Sequence, residues 1–167
     1  MKKLLTDRLE LRATSFLDAE MMLQLLNTPD WIQYIGDRNV HSMEEAMAYI
    51  TSRIIPQWEN LGYGNFTVIE KKSGKKIGSC GLYKRPGLDI VDIGFAFFKE
   101  YVGKGYAFEA AQCVLKFGKS EFSIEKVGAI TTKENYRSQK LIEKLGLKYQ
   151  GLVVLPGETQ ELMYYVS

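Results

Sequence analysis

The chain has 167 residues, 46% of them hydrophobic, with 22 Lys and Arg against 20 Asp and Glu for a formal charge of +2. That size and apolar content suit one domain, residues 1–167, with a sizeable core; the near-neutral balance gives no whole-surface pull toward nucleic acid or a membrane. The two cysteines, Cys80 and Cys113, fall in no CxxC or CxxH spacing, so they read as buried thiols and neither a metal site nor a disulfide framework is expected. No apolar run approaches the roughly 20 residues that span a bilayer. Met1 to Arg8 lacks the apolar core of a signal peptide, and the expected location is the cytoplasm.

Arg8 to Arg12 alternates charged and apolar residues and predicts a first strand. Ala19, Met22, Leu23 and Leu26 recur at helical spacing; they predict a helix from about Ser15 to Asn27, N-capped by Ser15 and ended by Thr28-Pro29-Asp30. Trp31 to Asn39 is aromatic and polar and reads as an irregular loop suited to contacting a partner or ligand of some kind. A second helix is expected from Ser42 towards Glu59, with Ser42 and Glu45 as a capping box, Pro56 kinking or shortening it, and Gly62 closing it. Strands follow at Asn65 to Glu70, Lys76 to Tyr83 and Ile90 to Phe98, joined by hairpin turns at Lys72 to Lys75 and Arg85 to Leu88. Ala107, Ala110, Ala111, Val114, Leu115 and Gly118 then share a small apolar helix face fit for close packing on a sheet. A strand at Lys126 to Thr131, a helix at Tyr136 to Leu145, and strands near Leu147 to Leu155 and Glu161 to Val166 complete the chain. This order is α+β: a mixed, mostly antiparallel sheet of about seven strands with about four helices.

The turn Tyr101-Val102-Gly103-Lys104-Gly105-Tyr106-Ala107 joins a predicted strand to a predicted helix. Glycine frees backbone N–H groups to converge on an anion, and the first helical turn adds unpaired donors and the positive end of its dipole, so a phosphate-bearing ligand fits there. The bland alternative is a connection that needs positive φ and binds nothing. A P-loop is disfavoured because the turn lacks the Gly-Lys-Ser/Thr ending that positions magnesium.

Three segments together carry a resemblance: Asp92-Ile93-Gly94-Phe95, the Val102 to Ala107 turn, and Asn135-Tyr136-Arg137-Ser138 running on to Gly146-Leu147. The chain resembles the GNAT N-acetyltransferases, specifically their ribosomal-protein-alanine (RimJ/RimL-like) branch, and Thr6 to Arg12 and Gly78 to Leu82 extend the likeness over nearly its whole length. The resemblance implies the GNAT fold and transfer of an acetyl group from acetyl-CoA to a primary amine, a protein N-terminus or a small molecule, in the EC 2.3.1 class. It places the CoA pyrophosphate on Val102, Gly103, Lys104, Gly105, Tyr106 and Ala107, with Val102 departing from the family's polar first position. It places the pantetheine arm along the sheet edge at Phe97 and Phe98 and on Asn135, whose alternative reading is a helix cap.

The attacking amine must be neutral, and with pKa values of about 8 for an α-amine and about 10.4 for lysine a base is wanted. Asp92 is the candidate: on a strand it shares a face with Gly94 and Ala96, which leave room for a ligand, and it acts directly or through water. The plain reading is a solvated strand-edge carboxylate. A bulge near Ala96 to Phe98 would offer the oxyanion a free N–H. Ile142 stands where many GNAT enzymes carry a tyrosine; the RimJ/RimL-like branch has a serine where this chain has Ser138, so the resemblance implies Ser138 as partner of the leaving sulfur, with Tyr136 as substitute and packing alone as the plain reading. Acceptor recognition falls to Trp31, Tyr34 and Asp37; the two aromatics read equally as core, and His41 as a helix-entrance residue. A second hypothesis, an inactive acyl-CoA-binding module, draws on Val102, Ile142 and the short Asp92. A homodimer is left open.

Overall fold

The computed structural model describes residues 3–167. In chain order it contains β1 (Lys3–Leu5), β2 (Leu9–Ala13), α1 (Ala19–Leu26), α2 (Pro29–Tyr34), α3 (Met43–Tyr49), a π segment (Ile50–Ile54), α4 (Ile55–Leu61) and β3 (Asn65–Glu70). There follow β4 (Lys76–Tyr83), β5 (Asp92–Phe97), α5 (Tyr106–Phe122), β6 (Gly128–Thr131), α6 (Tyr136–Lys144), β7 (Lys148–Val153) and β8 (Leu162–Val166). The strands form one eight-stranded sheet in the order β1-β2-β3-β4-β5-β6-β8-β7, and among the described residues only β5 and β6 pair in parallel. The eighth strand beyond the expected seven is β1, too short at three residues to show an alternation.

Thr28 does more than end a helix. Its Oγ1 accepts the Trp31 N–H at 3.3 Å with Pro29 at the first helical position, so α2 replaces the expected loop over its first half. Pro56 does not shorten the second helix. The wider π turn of Ile50–Ile54 precedes it and accommodates the missing N–H, so α3, the π segment and α4 form one rod ending at Gly62 in the left-handed region. Counted so, the described residues hold five helical rods instead of four. The capping box at Ser42 is half formed: Ser42 Oγ accepts the Glu45 N–H at 3.1 Å, while the Glu45 carboxylate takes the His41 N–H at 2.6 Å.

The sheet has two unlike faces. One is apolar: Leu9, Leu11, Phe66, Val68, Cys80, Leu82 and Ile93 meet Ala110, Ala111, Val114 and Phe117 of α5 in a core whose side chains are at most 4% exposed. Gly118 lets α5 come close, since a Cβ there would lie 2.5 Å from Leu82 Cδ1. Truncating Leu82 to alanine costs about 2–5 kcal/mol on this packing. The other face is polar or small beneath α1 and α3. Thr14 Oγ1 bonds Thr67 Oγ1 and accepts from Asn65 Nδ2 at 2.8 Å, and Asn65 Oδ1 accepts from the Tyr83 hydroxyl. At the start of α1, Asp18 is fully buried between Arg12 at 2.7 Å and Lys76 at 2.9 Å. Burial pushes its carboxyl up, but Arg12, Lys76 and the Ser15 N–H outweigh that and hold it below the usual carboxylate range.

Candidate active site

A cleft opens where the parallel strands part. β5 and β6 pair only at Asp92 with Gly128, where the Gly128 N–H reaches Val91 O at 2.8 Å. Backbone groups alternate sides along a strand, so Ile93, Phe95 and Phe97 turn their N–H and C=O groups toward β6, beyond the last paired position. No bulge is needed to free an oxyanion donor: β5 pairs with β4 in unbroken register through Phe97, correcting the expected irregularity near Ala96 to Phe98. Phe98 is not part of that open edge, because its N–H bonds Ile77 O and its carbonyl takes the Tyr101 N–H.

At the outer end of the cleft lies the glycine turn. Gly103 and Gly105 have φ of 79° and 84°, the left-handed region, and Gly105 is the N-cap of the 17-residue α5. No loop or turn carbonyl among the described residues takes the N–H groups of Gly103 through Ala107, which leaves them available to an anion. The turn is braced from behind. Arg8 donates from Nη1 to Lys104 O at 2.9 Å and from Nε to Glu109 Oε2 at 2.6 Å, and its guanidinium lies 4.4 Å from the centre of the Tyr106 ring. Glu109 also accepts from the Arg8 N–H and the Thr6 hydroxyl, while the Tyr106 hydroxyl is held by Glu70. Burial raises the Glu109 carboxyl, and these donors from Thr6 and Arg8 outweigh it and hold it below its ordinary value. Val102 is half-buried and extended, and Lys104 is exposed with its ammonium 5.6 Å from the Tyr101 ring centre.

Across the cleft, Asn135 caps α6. Its Oδ1 accepts the Ser138 N–H at 3.2 Å, which leaves the Nδ2 donors for a ligand, so capping and binding are compatible. Ser138 is half-buried in the first turn of α6; Tyr136 is 68% exposed, and Ile142 is buried in the core. Thr132, just past β6, has a buried hydroxyl with no hydrogen-bond partner. A buried, orphaned hydroxyl just past β6, the strand that parts from β5, suits the amide-rich arm of an acyl-CoA.

At the inner end Asp92 is fully buried, and Arg85 Nε approaches both of its oxygens, at 2.9 and 2.8 Å. Burial pushes the Asp92 carboxyl above its usual range against the pull of Arg85. Asp92 does share its face with Gly94 and Ala96 as expected, but it is a sealed half of an ion pair and not an open carboxylate. The Trp31 ring packs on the α1–α3 core with its Nε1 buried and unpartnered, and Tyr34 is half-buried. Asp37 is exposed, its Oδ1 closing a turn on the Asn39 N–H at 2.8 Å. His41 is exposed as well. Cys80 is buried and Cys113 half-buried, and burial pushes both thiols up. Among the described residues no three His, Cys, Asp or Glu side chains are grouped to hold a metal ion, and no helix is long and apolar enough to cross a membrane.

Arg8, Glu109, Thr132 and Arg85 carry this geometry without having been singled out by the sequence. Arg8 and Glu109 are 101 residues apart, and only the pairing of β2 against α5 brings them together.

Residues 8–148 match the acetyltransferase (GNAT) domain family. The chain is 30% identical over 146 residues to the uncharacterized N-acetyltransferase YnaD of Bacillus subtilis, covering 87% of this chain and 82% of that one. A GNAT-family acetyltransferase from Bacillus anthracis superposes with a TM-score of 0.79 at 28% identity, covering 99% and 98% of the two chains. The fold also matches RimL, a ribosomal L7/L12 α-N-protein acetyltransferase in complex with coenzyme A, with a TM-score of 0.79 at 16% identity over 99% and 97% of the chains. The cleft between β5 and β6, the bare amides of the glycine turn and the family match over residues 8–148 agree: the chain belongs to the GNAT acetyltransferase family.

Proposed function

We propose that this acetyltransferase moves an acetyl group from acetyl-CoA to a primary amine, a protein N-terminal α-amine or a small-molecule amine, by direct attack in a ternary complex. The carrying observation is the single paired position of β5 with β6, with the bare amides of Gly103 through Ala107 at the cleft's outer end. The coenzyme A bound to RimL supports the same assignment here.

In this reading the pyrophosphate sits on those amides and α5's positive end. The pantetheine arm pairs with the open edge at Phe97 and takes Asn135 Nδ2, and the thioester carbonyl meets an edge N–H of Phe95 or Phe97. The neutral amine comes from the face carrying Gly94 and Ala96 and forms the C–N bond. The C–S bond then breaks, Ser138 Oγ hydrogen-bonds the departing sulfur, and the thiolate and the product nitrogen exchange protons with water. Asp92 serves by holding Arg85, because both of its oxygens are engaged. Neither cysteine offers a thiolate to carry the acetyl group, which favours direct transfer.

Thiol release from acetyl-CoA, measured against a panel of amines and peptides, tests the proposal. Acceptor-dependent release with acetylated product is expected. Acetyl-CoA binding with no turnover of any acceptor would overturn it in favour of the inactive acyl-CoA-binding module, a reading that the named N-acetyltransferase relatives do not favour.

A further inference from the structure

Arg85 occupies the stretch read from sequence as a hairpin turn, yet its side chain folds back over the sheet. Its Nε is spent on Asp92, and its guanidinium carbon lies 4.9 Å from the centre of the Tyr83 ring. Nη2 sits 3.4 Å from where a Cβ on Gly94 would be, so the planar head rests beside the small-residue floor of the cleft, two positions past the point where β5 and β6 separate. Tyr83 cannot swing away, because its hydroxyl is bonded to Asn65 Oδ1 and Asn65 is fixed in turn on Thr14. The guanidinium is therefore held on two sides.

Its other edge is unused. Among the described residues neither Nη1 nor Nη2 of Arg85 has a protein partner, although the side chain is only 33% exposed. Neutralising Asp92 needs one donor, which a lysine would supply. A guanidinium brings a rigid fork of N–H groups that matches the two oxygens of a carboxylate. We infer that the acceptor amine carries a carboxylate, which docks on Nη1 and Nη2 of Arg85 and aims the amine at the thioester. The inference rests on the acetyl-transfer reading and names the substrate class for it. Asp92 and Tyr83 are then positioning residues for Arg85. The carboxylate has two sources, the α-carboxylate of a free amino acid or the acidic side chain of a peptide's first residue.

The test compares kcat/KM for matched acceptors in the intact protein and in Arg85→Lys. One arm pairs free amino acids with their amides; the other pairs peptides beginning with Asp with those beginning with Asn. A carboxylate preference of about thirtyfold is expected in one arm, collapsing to about threefold or less in Arg85→Lys while the KM for acetyl-CoA stays put. The arm that shows the preference identifies the source. The substrate comparison in the unmodified protein keeps the test decisive even where the variant folds poorly. Turnover with no carboxylate preference in either arm, or a preference that survives Arg85→Lys, overturns this inference alone. No turnover of any amine overturns it together with the acetyl-transfer reading.

Discussion

The two ends of the cleft are built by different means. The outer end, at the glycine turn, offers backbone amides whose direction is set by two left-handed glycines and by Arg8 behind them. The inner end offers side chains: Arg85 from a connection, Asp92 from β5 and Tyr83 from β4. A backbone site accepts one shape of anion and hardly depends on which side chains surround it. A side-chain site changes its preference with a single substitution. In the proposed reading, donor recognition belongs to the main chain and acceptor recognition to the side chains.

Breaking the outer end gives the largest effect. Valine at Gly105 would force a β-branched residue to φ 84°, with its Cβ 3.2 Å from Arg8 Nη2. Gly105→Val should lower kcat/KM for acetyl-CoA on the order of a hundredfold, read by initial rates, with acetyl-pantetheine, which lacks the pyrophosphate, affected far less. An equal loss for both donors would mean that the turn shapes the cleft and not the phosphate site.

Arg8→Gln sharpens the same point with a smaller change. In a trans peptide C=O and N–H point opposite ways, so Arg8 on Lys104 O turns the Gly105 N–H away from β2. Losing that bond and the Glu109 pair should raise the acetyl-CoA KM about tenfold with little change in kcat. A fall in kcat at unchanged KM would contradict the bracing role.

The ends should also answer pH differently. Glu109 is held below its ordinary value, so its carboxylate is ionised at neutral pH, and the Arg8 brace fails only as pH falls through that depressed value. The acetyl-CoA KM is then flat from about pH 6 to 9, while kcat/KM for the acceptor rises over the same span as an α-amine with pKa of about 8 loses its proton. A rising limb that vanishes in Asp92→Asn would return the base to Asp92. The smallest effect belongs to Ser138→Ala: a hydroxyl that only hydrogen-bonds sulfur is worth about threefold in kcat, measured at saturating substrates.

The outer end was legible in the sequence because it is local. Gly103, Gly105 and the α5 start fall within a few residues, and Asn135 and Ser138 lie three apart on one helical turn. The strands β2 to β8 were legible for the same reason, through alternation along each segment. What was not legible is set by contacts distant in sequence or by exceptions to local rules. The Arg8 and Glu109 pair spans 101 residues, and no pattern marks either one. Arg85 sits beside Pro86-Gly87, where turn chemistry explains the residues so well that a returning side chain leaves no trace. Pro56 looked like a breaker because proline usually is one, and a π turn absorbs it here. Asp92 was placed on the correct face, but its ion-pair partner Arg85 was invisible in the sequence.

Direct transfer between the two ends is most directly tested by initial rates with acetyl-CoA and an accepted amine varied together. Lines that intersect in a double-reciprocal plot are the predicted result, since both substrates must occupy the cleft before the acetyl group moves. Parallel lines would contradict the account, because they would require an acetylated protein intermediate that neither Cys80 nor Cys113, with their thiols pushed up by burial, is placed to form.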